Sequence, residues 1–217
     1  MRQIRIGFVG DSITHGTGDA SLLGWTLRLG RMAQPRGVDA VVYNLGVRAD
    51  TSELAGARWE AEAAARLSPA FPTATLFALG INDTAVDNMA ATAGNRVPLD
   101  RSLKLMSDML TRARERFGKT GWVGPTPVIE AMMPVAPVPA LSFSFDNATI
   151  AAYNAAYAKL AGEIGVPYLD LFAALMDDAA FAESLRASDG LHPDASGYEI
   201  MAAAIDAWSG WQDIIAP

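Results

Sequence analysis

A chain of 217 residues, 51% hydrophobic and 19% charged, has the composition of a globular protein and enough length to bury one sizeable core. Its 17 Lys+Arg against 24 Asp+Glu leave a formal charge of -7, the wrong sign for gripping a phosphate backbone or anionic lipid, so nucleic acid is not an expected partner. The absence of cysteine rules out disulfides, zinc–thiolate sites, iron–sulfur clusters and a thiol nucleophile, and two histidines, His15 and His192, are too few for a His-rich metal cage.

From Met1 to Gly10 the chain alternates as a strand does and lacks the apolar core and small-residue cleavage site of a secretory signal. No stretch reaches the ~18 consecutive apolar residues that a bilayer span requires. These features predict a cytoplasmic protein that starts at Met1 and forms a single domain over 1–217. Strand-length apolar runs recur at Ile4–Val9, Ala40–Leu45, Ala74–Leu79, Val128–Met132 and Val166–Leu169, and helical-period stretches separate them. A helix is predicted over about Leu22–Ala33. Asp50-Thr51-Ser52-Glu53 has the form of a capping box ahead of a second, running to about Arg66. Asp100 opens a third to about Phe117, Asp146 a fourth to about Ile164, and a last one runs from about Ala195 to Trp208. Such alternation of continuously apolar strands with helices predicts a parallel sheet covered on both faces. Two connections, Thr84–Pro98 and Pro134–Phe145, are longer than a compact α/β fold needs and read as binding loops or lids, or as surface loops with apolar anchors. Trp208-Ser209-Gly210-Trp211 reads as an exposed patch for homo-oligomer formation or as cover for a core edge.

The unusual residues gather at one place on this reading. Strand one ends in Gly10-Asp11-Ser12, strand two in Asn44-Leu45-Gly46, and strand three in Gly80-Ile81-Asn82-Asp83, all past the carboxyl ends of parallel strands, where open α/β sheets bind ligands. Asp189-Gly190-Leu191-His192-Pro193 precedes the last helix and can fold back over the same edge. A hydroxyl nucleophile needs a base within hydrogen-bond reach, a group that orients the base, and donors for the oxyanion. Ser12 on a strand-to-helix turn is the candidate nucleophile, His192 the candidate base, and Asp189, three residues upstream, its orienting partner. The backbone N–H groups of Ser12 and Gly46 and the side-chain amide of Asn82 are the candidate oxyanion donors.

These four clusters resemble, in order and spacing, the signature blocks of the SGNH hydrolases, also called GDSL esterases/lipases, over Gly10 to His192. The resemblance implies a flavodoxin-like three-layer α/β/α sandwich with a parallel five-stranded sheet. It also implies hydrolysis of carboxylic esters or thioesters with no metal or cofactor, carried by Ser12, His192 and Asp189 over an oxyanion hole of Ser12, Gly46 and Asn82. The second block departs from the family's Asn-x-Gly-x-x-Gly-x-Thr: Ala49 stands in place of the second glycine, with Arg48 beside it. Arg48 puts a cation near the pocket mouth, facing an acidic substrate group or pairing with Asp50.

Each cluster also has a structural reading. Gly-Asp-Ser suits any tight βα turn, Asn82-Asp83 suits a helix cap, and Asp189-Gly190 suits a turn that leaves His192 idle. His15 competes for the base role. A nucleotide binder on the same architecture would want a glycine fingerprint that Gly16-Thr17-Gly18-Asp19-Ala20-Ser21 lacks, and a phosphate-transfer site on Asp11 would want an Asp where Ile13 stands. The preferred substrate is a small soluble ester or acetylated metabolite. Val135, Val138, Leu141, Phe143 and Phe145 would suit an acyl chain, with Phe143, Phe145 and Arg48 as candidate substrate contacts; a lipase or acyl-thioesterase taking longer chains, or a non-catalytic ligand-binding member of the fold, is the alternative.

Overall fold

The computed structural model describes residues 1–91 and 93–216. In chain order the first half comprises β1 (Arg2–Gly10), α1 (Ser12–His15), α2 (Gly24–Ala33), β2 (Val38–Gly46), α3 (Ser52–Arg66), β3 (Thr73–Ala78), α4 (Ile81–Thr84) and β4 (Val86–Asp87). There follow α5 (Leu99–Phe117), β5 (Lys119–Val123), β6 (Val135–Val138), β7 (Leu141–Ser144) and α6 (Asn147–Ile164). The chain closes with β8 (Tyr168–Leu169), α7 (Leu171–Leu175), α8 (Ala179–Arg186), α9 (Ala195–Ala207) and α10 (Ser209–Ile215).

Five strands form a parallel sheet in the order β2-β1-β3-β5-β8. β1 lies between β2 and β3, and its alternation divides the core: Ile4, Ile6 and Phe8 pack with Trp25 and Leu29 of α2, Met201 and Ile205 of α9 and Trp211 of α10. Val9 faces the other way, joining Leu45, Phe77, Trp59 of α3, Met109 and Leu110 of α5 and Tyr157 of α6. Both layers use aromatic edges: Phe8 and Trp25 meet at 5.4 Å between ring centres, Trp59 and Phe77 at 5.3 Å. This is the flavodoxin-like α/β/α sandwich with a parallel five-stranded sheet. Among the described residues no helix is long and apolar enough to cross a membrane.

Several boundaries move. The fourth strand is β5, not Val128–Met132. Lys119-Thr120-Gly121-Trp122-Val123 carries too few apolar residues to stand out in sequence, yet Gly118 ends α5 and delivers it straight into the sheet beside β3. The apolar run at 128–132 follows Pro125 and Pro127, which lack ladder donors, and turns into a short 3-10 helix at Glu130–Met132. The fifth strand shortens to Tyr168–Leu169. Helix α3 is capped by Thr51, whose hydroxyl accepts the Leu54 N–H, while the Asp50 carboxylate binds Arg58 instead. Helix α5 begins behind Pro98, one residue ahead of Asp100.

The two long connections hold a second, antiparallel sheet in the order β4-β7-β6. Its central strand is the Leu141-Ser142-Phe143-Ser144 alternation, and Asn88 anchors it through bonds to the Ser142 and Ser144 hydroxyls at 3.1 and 3.0 Å. Thr92, inside the first of these connections, lies outside the described residues.

Of the terminal tryptophans, Trp211 is fully buried against Phe8, with its indole N–H donating to Asp206, and Trp208 is partly buried beside it. Trp211→Ala is therefore expected to lower unfolding free energy by about 3–5 kcal/mol in urea titration, as aromatic truncations in cores do. A loss under ~1 kcal/mol would show that α10 contributes little to the core.

Candidate active site

The ends of β1, β2 and β3 stand level, with Gly10 opposite Gly46 on one side and Ala78 on the other. The turn after β1 is set by Asp11, whose carboxylate accepts the Ile13 N–H at 2.9 Å and caps the short α1. Ser12 follows at the start of that turn, 5% exposed. The loop after α8 brings His192 over it. His192 Nε2 lies 2.8 Å from Ser12 Oγ, and His192 Nδ1 lies 2.7 Å from Asp189 Oδ2. The other Asp189 oxygen accepts the Leu191 and His192 backbone N–H groups at 3.0 and 2.8 Å, so the carboxylate and the ring share one rigid turn.

That turn is clasped to the segment that follows Ser12. Asp19, buried, accepts the Gly24 N–H and the Arg28 guanidinium, and Arg28 donates onward to the Ala195 carbonyl at the start of α9. Tyr198 of α9 donates its hydroxyl to the Thr17 carbonyl at 2.7 Å. The side chains of Asp19, Arg28 and Tyr198 were not among the candidate site residues read from the sequence, because their significance lies in which segments they join. His15 is exposed, its Nδ1 3.5 Å from the Thr17 hydroxyl, and it does not line the pocket around Ser12.

Asn82 reaches the same pocket from the turn after β3. One hydrogen of its amide goes to the Asp50 carbonyl at 3.0 Å, which orients the group and leaves its second hydrogen for a ligand. Gly46 does not fill the place expected of it. Its N–H donates to Asn44 Oδ1 at 2.9 Å, and it does not border the pocket. Its glycine identity has a packing cause: a Cβ there would lie 2.7 Å from the Asp11 carbonyl and run into the His15 backbone. Ala49 is a residue of this loop with an unpaired N–H at the pocket. It lines the pocket, holds φ at +64°, and among the described residues neither its N–H nor that of Ser12 has a protein acceptor. The departure from glycine at this position was the available signal; the alanine adopts the left-handed conformation that glycine adopts more easily.

The remaining wall is apolar. Val135, Pro137, Val138 and Leu141 from the β6–β7 hairpin, with Phe143, Phe145 and Leu191, bound a cavity of about 300 Å³ that opens onto Ser12, His192 and Asn82, with Arg48 also on its lining. Arg48 is exposed and does not pair with Asp50, which Arg58 holds at 2.6 Å. Beneath this floor Asp83 is fully buried. It accepts the Ser52 N–H and the Ser102 hydroxyl, and Ser102 in turn meets the Tyr157 hydroxyl at 2.7 Å. Among the described residues no cluster of three His, Cys, Asp or Glu side chains is arranged to hold a metal ion.

The carboxyls diverge in acidity. Burial would raise Asp189, but the hydrogen bond and charge of His192 and the two N–H groups overcome it and hold it down at about 2. Asp19 is likewise held at about 2, where burial is outweighed by Arg28, Ser21 and the Gly24 N–H. Burial wins at Asp11, pushing it up to about 7 despite the Ile13 N–H and the neighbouring His192 charge, and burial also raises Asp83.

A parallel α/β/α sandwich whose carboxyl edge brings a serine hydroxyl, an imidazole and a carboxylate into one hydrogen-bonded line defines the class of fold and site. The chain belongs to the GDSL-like lipase/acylhydrolase family, whose model matches residues 8–200. No curated protein matches the sequence. Among solved structures it is similar to a lipase/acylhydrolase from Enterococcus faecalis, at TM-score 0.70 and 21% identity over 95% of this chain and 94% of that one. It is similar also to Axe2, an acetylxylan esterase from Geobacillus stearothermophilus, at TM-score 0.68 and 21% identity over 98% and 94%. A third is TesA, at TM-score 0.69 and 19% identity over 98% and 99%. At such identities the likeness is one of fold.

Asp11 makes a stability prediction with a definite sign. Its folded-state carboxyl titrates near 7 and its unfolded one near 3.8, so between these values the folded state holds a proton that the unfolded chain has released. Stability should fall as pH rises through that window. Asp11→Asn keeps an acceptor for the Ile13 N–H and is expected to remove this component of the slope in urea titrations run between about pH 4 and 8. An unchanged slope would mean that Asp11 is not the group responsible.

Proposed function

We propose that the chain is a serine esterase that hydrolyses a small carboxylic ester, an acyl or acetyl ester, through an acyl-enzyme on Ser12. The observation that carries this reading is the unbroken chain of contacts from Ser12 Oγ to His192 Nε2 and from His192 Nδ1 to Asp189, at 2.8 and 2.7 Å. A neutral imidazole placed so takes the Ser12 proton as Oγ attacks the ester carbonyl, and the ionised Asp189 stabilises the imidazolium that forms. The developing oxyanion is met by the Ser12 and Ala49 N–H groups and the second Asn82 amide hydrogen, donors already oriented before reaction. His192 then gives its proton to the leaving alcohol, and a water activated by the same ring hydrolyses the acyl-enzyme.

The size of the cavity supports a small substrate. At about 300 Å³ it sits at the lower end of the range for ligand sites, and its apolar hairpin wall suits a short acyl group. Membership of the acylhydrolase family and the fold shared with an acetylxylan esterase are consistent with acyl or acetyl transfer to water, the acid part being what Ser12 would carry. A longer-chain lipase or thioesterase reading draws on the openness of the hairpin tip, where Val138 and Leu141 are 49% and 40% exposed.

A fluorophosphonate probe is expected to label Ser12. Ser12→Ala and His192→Ala should each lower kcat by roughly 10⁶, Asp189→Asn should leave a residual rate ~10⁴ below the native one, and Asn82→Ala should cost ~100- to 1,000-fold. Hydrolysis that survives Ser12→Ala would overturn the assignment. Across p-nitrophenyl esters from acetate to palmitate, kcat/KM should be highest for the short chains; a maximum at the long end would favour the lipase reading.

A further inference from the structure

Arg48 is the cation that lines the pocket, and among the described residues no carboxylate pairs with it. Of the residues that border the cavity, only Arg48 and Asp189 carry full charges apart from the titratable His192. Asp189 is already committed to His192 and to two backbone N–H groups. Asp50, two residues from Arg48, is held by Arg58, and Asp83 lies buried under Ser52 and Ser102. Among the described residues Arg48 makes no ion pair and no hydrogen bond. Its five donors are therefore presented to solvent and to whatever enters the site.

Its position across the sheet edge says which part of a substrate it would meet. Ser12 follows β1, and Arg48 follows β2, the edge strand on one side of β1. The apolar wall comes from β6 and β7, which pair with β4 in the connection that follows β3, the neighbour of β1 on its other side. An ester bound at Ser12 with its acyl group on Phe143, Val135 and Val138 thus extends its alcohol part toward Arg48. An anionic group on the acyl chain would instead be driven into hydrocarbon without a partner, at a cost that excludes it.

Resting on the esterase reading above, we propose that Arg48 is a specificity-determining residue that selects esters whose alcohol part bears a negative charge, a carboxylate or a phosphate. The guanidinium suits both, because its planar fork pairs with two oxygens at once. Selection acts at contact range. The net charge of -7 repels anions at a distance, but salt at physiological strength screens charges beyond about 8 Å, so a close Arg48 contact dominates once the ester is seated. The preference should therefore appear chiefly in KM.

The test compares matched butyrates in the native enzyme and in Arg48 variants. The carboxylate pair is 4-butyryloxybenzoate against 4-butyryloxybenzamide, and the phosphate pair is 1-butyrylglycerol 3-phosphate against monobutyrin. At low salt the native enzyme is expected to prefer the anionic member of at least one pair by ~10-fold in kcat/KM, about 1.4 kcal/mol. Whichever pair shows the larger preference identifies the anion. In Arg48→Gln the ratio should fall to near one, in Arg48→Glu it should invert, and in the native enzyme it should shrink in 1 M salt, where the screening length is ~3 Å. Equal rates for both members of each pair, or a ratio that survives Arg48→Gln, would overturn the inference. So would a preference for an aryl hemisuccinate, with its charge on the acyl part, over the aryl butyrate. Failure of the esterase reading looks different: none of these esters would be hydrolysed and Ser12 would not take the fluorophosphonate label.

Discussion

Gly10 stands level with Gly46 and Ala78, and this register of three adjacent parallel strands determines where every polar group of the site can be. Parallel strands must all leave the sheet at the same edge, so the turns that follow β1, β2 and β3 project side by side. Ser12, Ala49 and Asn82 are each carried by one of those turns. A slip of one residue in β1 would reverse its faces, moving Ile4, Ile6 and Phe8 out of the layer they share with Trp25 and Trp211. Core burial therefore maintains the alignment of the turns, and the site inherits a stability that none of its own contacts provides.

The fourth contributor comes from the far end of the sequence and has no strand register to hold it. His192 is positioned by a loop, and loops are the least stable parts of most folds. Here the loop is bound at several points: Gly190 joins Ile129 and Leu185 through backbone bonds, and Asp194 caps α9 immediately after it. The Asp19–Arg28 pair and the Tyr198–Thr17 bond then tie α9 to the segment behind Ser12. A buried ion pair contributes little net stability when whole, but it fixes geometry, since either partner left alone is a costly unpaired charge. The clasp thus acts on the distance between ring and hydroxyl rather than on the fold at large.

Polarity divides the pocket along the same line as topology. Elements behind β3 supply hydrocarbon, and the loop after β2 supplies a cation and a backbone N–H. The small antiparallel sheet builds the apolar half, with the Arg96 guanidinium 4.8 Å from the centre of the Phe143 ring. The Asp83–Ser102–Tyr157 network stiffens the floor between the halves by joining the turn after β3 to α5 and α6.

Strands β1, β2 and β3 were evident in the sequence because each carries a strand-length apolar run, and Ser12 and Asn82 stood out by their side-chain chemistry just past such runs, as Asp189 and His192 did in the loop ahead of the last long helix. Helix α6 was legible to its cap, since Asp146 accepts the Thr149 N–H as its sequence context suggests. Strand β5 was not, because Lys119-Thr120-Gly121 is polar or small and becomes strand through its place beside β3 alone. The antiparallel sheet was hidden for a similar reason, as Val86 and Asp87 acquire strand character only from a partner some 57 residues later. Gly46 and Ala49 show the limit most sharply. Residue type favours the glycine as a bare backbone donor, whereas the fold gives that N–H to Asn44 and turns the alanine into the left-handed region at the pocket. Local sequence determines which groups a segment can offer; which of them remain unpaired, and which way they face, is decided by contacts between segments far apart in the chain.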